Sequence, residues 1–256
     1  VVKVLITGTS GRIGSYVIQP LREKYEITTF DLPGTKADYE GDMTSLEPLQ
    51  NAMRGCEVVL HLAAQSDEAP FVEKLVGSNV IGIYHVLEAA RLENVRRVVF
   101  TSTVQTVGMA TREGLTEIET HTPPRPVSLY GVTKIMGESL GRFYHDKYGL
   151  EFIALRLGAF LSYETDWLQR RRGSNIWLSP RDTVKIFSLA IEKEDIGYAV
   201  VNATSKNQVN VLSLQSAFDV LGYVPDDKGE DYYRPRKLWN LLRDIKHKIW
   251  NRNKPH

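Results

Sequence analysis

The sequence predicts an α/β protein of the Rossmann type: a doubly wound parallel sheet with a small appended C-terminal substrate-binding part. Three observations lead there. Short apolar runs rich in Val and Ile alternate with amphipathic helical stretches as far as Leu157. The segments between most of these runs are long enough to hold the crossover helix that parallel neighbours require. The first run also passes directly into a glycine-rich turn that opens a helix.

Taken in order, residues 2–7 read as a buried strand, 11–24 as a helix and 26–30 as the next strand. Residues 46–53 form a short helix and 57–61 a third strand. Residues 71–92 carry Val72, Leu75, Val76, Val80, Ile83, Val86, Leu87 and Ala90 at three- and four-residue steps, which predicts one long helix. A fourth strand over 97–101, a helix over 129–148 and a fifth strand over 152–157 complete the alternation. Past Gly158 the pattern loosens into a loop over 162–179 that contains Arg170, Arg171 and Arg172. Helix returns at 180–194, strand at 198–202 and helix at 213–221. The expected organisation is a nucleotide-binding unit over 1–160, segments completing the same domain over 161–230, and a tail over 231–256.

Composition sets the bounds. A chain of 256 residues with 42% hydrophobic and 25% charged residues suits one large globular domain. Thirty-two basic against 31 acidic residues give +1, so no general nucleic-acid surface is expected. The single cysteine, Cys56, excludes an internal disulfide framework and a multi-thiolate metal site, and reads as a small buried residue. No apolar run approaches the roughly 20 residues of a membrane span, no leader is read ahead of the first strand, and a cytoplasmic location is expected. Charge is uneven: residues 231–256 hold eight Lys/Arg and two Asp, a net +6, so the other 230 residues carry −5. Leu238, Leu241, Leu242, Ile245 and Ile249 form one helical stripe in that tail. The stripe is expected to pack on protein in preference to a membrane surface.

Two clusters carry chemistry. In Thr7-Gly8-Thr9-Ser10-Gly11-Arg12-Ile13-Gly14 the glycines permit a tight turn and close backbone approach to a pyrophosphate at a helix N-terminus. Asp31 ends the second strand, 23 residues beyond Gly8, where a carboxylate accepts ribose hydroxyls. Leu32, Pro33 and Gly34 follow it, with no base to receive a 2′-phosphate, which favours NAD over NADP. At the other cluster Tyr130 and Lys134 stand one helical turn apart, so the ammonium is expected to lower the phenol's pKa and make Tyr130 a general base. Thr101-Ser102-Thr103 ends the fourth strand at the sheet edge where such folds bind ligands. His61 reads as a satisfied strand-end histidine, and no metal-ligand spacing accompanies it.

Together these residues make the sequence resemble the extended short-chain dehydrogenase/reductase superfamily, the NAD-dependent epimerase/dehydratase family. Its marks appear here as TGTSGRIG, Thr103 and Tyr130-Gly131-Val132-Thr133-Lys134. Asp42-Met43 on the adenine side, Leu62-Ala63-Ala64 after His61, and Asn79 also match, over about residues 2–160. The resemblance implies NAD as cofactor, held by Gly8, Ser10, Gly11, Arg12, Ile13, Gly14, Asp31, Asp42, Met43, Leu62, Ala63, Ala64, Asn79, Thr101, Tyr130 and Lys134. It implies Tyr130, Lys134 and Thr103 as catalytic residues.

Within the superfamily the sequence is similar to the uronate dehydrogenases through segments 65–71, 79–84, 100–108, 129–138, 177–179 and 221–226. That likeness implies Ser66 and Thr103 as sugar contacts and Arg172 as partner of a substrate carboxylate; Gln105 stands where the family has His and is read as a polar contact in its place. Two further positions depart: Val104 and Ala159 stand where the family has Asn and Ser. The expected activity is NAD-dependent oxidation of a sugar hydroxyl, most directly C1 of a hexuronate or related aldose to the lactone. The alternative is a nucleotide-sugar epimerase or dehydratase with tightly bound NAD. By analogy, the helices at 71–92 and 129–148 would form a homodimer interface.

Overall fold

Every residue of Val58–His61 and of Arg97–Thr103 is buried, as strands covered by helices on both faces must be. The computed structural model describes residues 1–161 and 175–232. In chain order its strands are β1 (Lys3–Thr7), β2 (Glu26–Asp31), β3 (Tyr39–Glu40), β4 (Val58–His61), β5 (Arg97–Thr103), β6 (Glu151–Leu157), β7 (Ala159–Phe160), β8 (Trp177–Leu178) and β9 (Tyr198–Ala203). Seven of them form one sheet in the order β3-β2-β1-β4-β5-β6-β9, every neighbour parallel. Among the described residues, strands β7 and β8 pair with each other alone.

The side-chain alternation of each strand assigns two cores. Val4, Ile6, Val58, Leu60, Val99, Ile153 and Leu155 point to one face, where α1 (Gly14–Arg22), α6 (Pro180–Glu192) and α7 (Gln215–Leu221) cover them. Leu5, Val59, Val98, Phe100, Phe152 and Ala154 point to the other, against α2 (Leu46–Met53), α3 (Ile83–Leu92) and α5 (Leu129–Tyr148). The expected long helix over 71–92 is present, but its first part, Phe71–Gly82, is π-helical before α3 continues it. A 3₁₀ turn, Val104–Val107, and the short α4 (Gly108–Arg112) follow β5.

Helix α5 lies unusually close to the sheet because of its glycines. A Cβ on Gly137 would stand 2.4 Å from the Phe100 ring, and one on Gly141 2.3 Å from the Phe152 ring. Both rings belong to the second core and have nowhere to move. Gly141→Ala is therefore expected to lower unfolding stability by about 1–3 kcal/mol through overpacking, measured by urea denaturation.

Among the described residues, no helix is long and apolar enough to cross a membrane. Arg172 and the basic segment 233–256 lie outside the described residues.

Candidate active site

The order of the sheet reverses its chain direction between β1 and β4, and open α/β sheets bind ligands outside the carboxyl ends at such a point. A cavity of about 550 Å³ opens there. Gly8, Gly11, Arg12, Ile13 and Gly14 line it from the β1–α1 turn, and Leu62, Ala64, Ser66 and Asp67 from the loop after β4. Thr101, Ser102, Thr103, Val104 and Gln105 come from the end of β5, and Tyr130 and Lys134 from α5. The two sequence clusters thus meet in one space.

At the glycine turn, Gly8 holds φ +74, and a Cβ on it would stand 2.5 Å from the Ala63 backbone nitrogen. Ala63 donates its N–H to the Thr7 hydroxyl at 3.3 Å, which locks the turn against the end of β4. No side chain among the described residues caps α1; the N–H groups of Ser15, Tyr16 and Val17 go to the Gly11 and Ile13 carbonyls, which leaves those of Arg12, Ile13 and Gly14 at the mouth of the helix for an anion. The Asp31 carboxylate accepts from the N–H groups of Ser10 (2.7 Å) and Leu32 (2.8 Å) and from the Thr9 hydroxyl (3.3 Å). Burial works against its charge, but those donors prevail and hold its pKa below the ordinary value.

Not every expected cofactor residue reaches the cavity. Asn79 is buried and binds the Gln65 backbone twice, its Oδ1 accepting at 2.8 Å and its Nδ2 donating at 2.9 Å. It also donates to Thr133 Oγ1 at 3.2 Å, so it ties the loop after β4 to α5. Met43 packs under Gly82, and Asp42 accepts the Thr44 N–H at 2.8 Å. Ser10, Asp31 and Ala63 shape the turn from behind its lining.

At the other end Ser128 caps α5 by accepting the Gly131 N–H at 2.9 Å, and Glu68 accepts the Leu129 N–H at 2.9 Å. These two contacts fix Tyr130 one residue into the helix. The Ser128 hydroxyl donates to Gln105 Oε1, and Thr103 Oγ1 accepts the Gln105 N–H at 3.3 Å. Lys134 is almost fully buried, with its ammonium 4.6 Å from the Phe100 ring centre and 5.6 Å from that of Tyr130.

The electrostatics differ from the expectation drawn from spacing. Burial, with a smaller contribution from Asp67, raises the Tyr130 pKa well above its ordinary value. Burial also pulls Lys134 down to about 7, against the pull of Glu138 in the other direction. Desolvation is the largest cause of both shifts, and burial is something that spacing along a helix does not reveal. His61 is pushed down to about 3 by burial and by Lys134, so it is a neutral ring at physiological pH, paired with the Thr7 hydroxyl at 2.8 Å.

A stability prediction follows from Lys134. Its folded pKa lies below the unfolded value, so stability is complete above about 10.5 and is lost as pH falls through about 7. Unfolding free energy is expected to rise by about 2 kcal/mol from pH 7 to pH 9 on this account. Lys134→Met should flatten that rise in denaturant titrations at the two pH values.

Sequence reading missed Asp67, Phe160, Leu161 and Ile176 in the lining. Asp67 had one usable signal, its place just past the carboxyl end of β4. The other three are brought in by the β7–β8 pair, whose two-residue strands leave no periodic trace.

Known proteins match along most of the chain. Uronate dehydrogenase of Pseudomonas syringae pv. tomato is 30% identical over 89% of this chain and 83% of its own. L-arabinose 1-dehydrogenase (NAD(P)(+)) of Haloferax volcanii is 31% identical over 88% of this chain and 96% of its own. A crystal structure of a mutant uronate dehydrogenase from Agrobacterium tumefaciens, complexed with NAD, superposes with a TM-score of 0.78. It is 27% identical and covers 90% of this chain and 87% of that one. The model of the NAD dependent epimerase/dehydratase family matches residues 4–175, the stretch that builds the glycine turn and carries Tyr130 and Lys134. The sheet, the turn and that match agree, and the chain belongs to the NAD-dependent epimerase/dehydratase family, with NAD as its cofactor.

Proposed function

We propose that the chain oxidises a sugar hydroxyl with NAD, acting on C1 of a hexuronate or related aldose and releasing the lactone. The observation that carries this is the convergence of Tyr130, Lys134 and Thr103 with the glycine turn in one cavity. The relatives named for uronate and for L-arabinose oxidation support the same substrate class.

Bound NAD supplies the hydride acceptor. As phenolate, Tyr130 takes the proton of the C1 hydroxyl as hydride leaves C1, and handing that proton on to solvent leaves lactone, NADH and one proton. Thr103, at the end of β5, holds the same hydroxyl. Lys134, beneath the Tyr130 ring, favours the phenolate by its charge. Backbone N–H groups at the start of α1 hold the pyrophosphate, and Asp31 takes an adenosine ribose hydroxyl. Ser66 and Gln105 contact the sugar. Among the described residues, Gln105 has its amide oxygen engaged by Ser128 while its amide nitrogen keeps its donors for a ligand.

Mixing the protein and NAD with galacturonate, glucuronate and their neutral counterparts tests the reading. NADH formation with at least one of them is expected. NAD that comes bound to the purified protein and cycles without net NADH would favour the nucleotide-sugar epimerase instead.

We also propose a homodimer formed through α3 and α5. Leu129, Met136 and Phe143 recur every seven residues on α5 and stand exposed with Tyr148, near exposed Tyr84 and Leu92 of α3. Light scattering is expected to give twice the chain mass, and Phe143→Glu to give the monomer.

A further inference from the structure

Among the described residues of the lining, one carboxylate stands at the sugar end of the cavity. Asp67 lines the same space as Tyr130, Thr103 and Gln105. The loop that carries it is held from both sides: Asn79 binds the backbone of Gln65, and Glu68 accepts the Leu129 N–H at the start of α5. Between those anchors Asp67 takes φ +64, a conformation that Asp tolerates better than most residues. Its carboxylate is close enough to raise the proton affinity of the Tyr130 phenol. Among the described residues no cation pairs with it, so nothing there neutralises its field.

The other charges among the described lining residues lie elsewhere. Arg12 follows β1, which β4 separates from β5. Lys134 sits almost fully buried beneath the Phe100 and Tyr130 rings, half neutral near pH 7. Val104, Ala159, Phe160 and Ile176 add apolar surface. Among the described lining residues, a sugar whose reacting carbon lies at Tyr130 meets hydroxyls, an amide, apolar walls and one carboxylate.

We propose that Asp67 determines the substrate class: its carboxylate accepts hydrogen bonds from the hydroxyls of a neutral aldose and opposes a sugar acid. The proposal rests on the sugar-oxidising reading and narrows it. A carboxylate accepts hydroxyl donors strongly, and a like charge is an efficient means of rejecting an otherwise similar ligand.

The test compares wild type and Asp67→Asn on matched pairs, galactose with galacturonate and glucose with glucuronate. Wild type is expected to favour the neutral sugar by at least tenfold in kcat/KM. Asp67→Asn should shrink that preference by at least tenfold, mainly by lowering KM for the acid. A wild type that prefers the acids, or a preference unchanged in Asp67→Asn, overturns the proposal. Quenching of the bound NADH fluorescence by the same sugars reads the charge preference without turnover. If no sugar is oxidised, the oxidation reading fails by itself. Asp67 is then judged on binding: tighter galacturonate binding in Asp67→Asn supports it, and equal binding overturns it.

Discussion

Tyr130→Phe is expected to reduce sugar oxidation by about 10²- to 10⁴-fold, the range general acid–base groups contribute. NAD affinity should stay within a few-fold of wild type. The substitution removes one oxygen and leaves the ring, so the packing against Lys134 survives. The contacts that fix the helix start also survive, since Ser128 and Glu68 bind backbone N–H groups on either side of Tyr130. The loss should fall on kcat more than on KM, because proton removal belongs to the transition state. Single-turnover kinetics with NADH formation as readout, together with NAD titration by calorimetry, check both halves. Retention of more than a tenth of wild-type kcat would remove Tyr130 from the mechanism.

The largest loss of stability is expected from Arg156→Met. Arg156 and Glu138 are almost fully buried and paired twice, Nε to Oε1 at 2.9 Å and Nη2 to Oε2 at 2.8 Å. Ser102 Oγ adds a donor to the same carboxylate at 2.6 Å, and Arg156 Nη1 reaches the Thr120 carbonyl at 3.2 Å. The network thereby joins β5, β6, α5 and the loop before α5. Removing the guanidinium leaves the Glu138 charge buried without its cation, which costs about 3–5 kcal/mol. For a chain of this size that is a fall of about 6–20 °C in Tm. Replacing both partners by apolar residues, Glu138→Leu with Arg156→Met, should recover most of it, since a buried pair contributes little net stability against a packed apolar isostere. Calorimetric Tm values for the single and double variants decide the point. A single variant within about 3 °C of wild type would mean that water reaches the pair.

Much of this arrangement was legible in the sequence where a local pattern carries it. Helix α5 spans the residues its periodicity predicts, because Ser128 caps its start and Gly149 ends it. Six of the seven sheet strands were visible as apolar runs, since strands buried on both faces cannot contain polar residues without partners. The glycine turn and the Tyr130–Lys134 pair were likewise legible, each being a feature of one short segment. What the sequence could not supply depends on closure in space. Strand β3 has two residues and exists only because β2 offers it an edge. The amide of Asn79 is engaged by Gln65 and Thr133, contacts 14 and 54 residues away that no local pattern shows. The upward shift of Tyr130 is hidden from the sequence for the same reason, because burial is a property of the assembled fold. Asp67 is a single loop residue whose importance comes from the cavity it enters.

The central claim, hydride transfer from a sugar carbon to NAD in the Tyr130 cavity, is tested most directly with an aldose deuterated at C1. The account predicts that the NADH formed carries the deuterium, one per lactone released, and that Tyr130→Phe forms almost none. Deuterium that stays on the sugar while NAD shows no net reduction would contradict it, and would assign the cavity to reversible epimerisation.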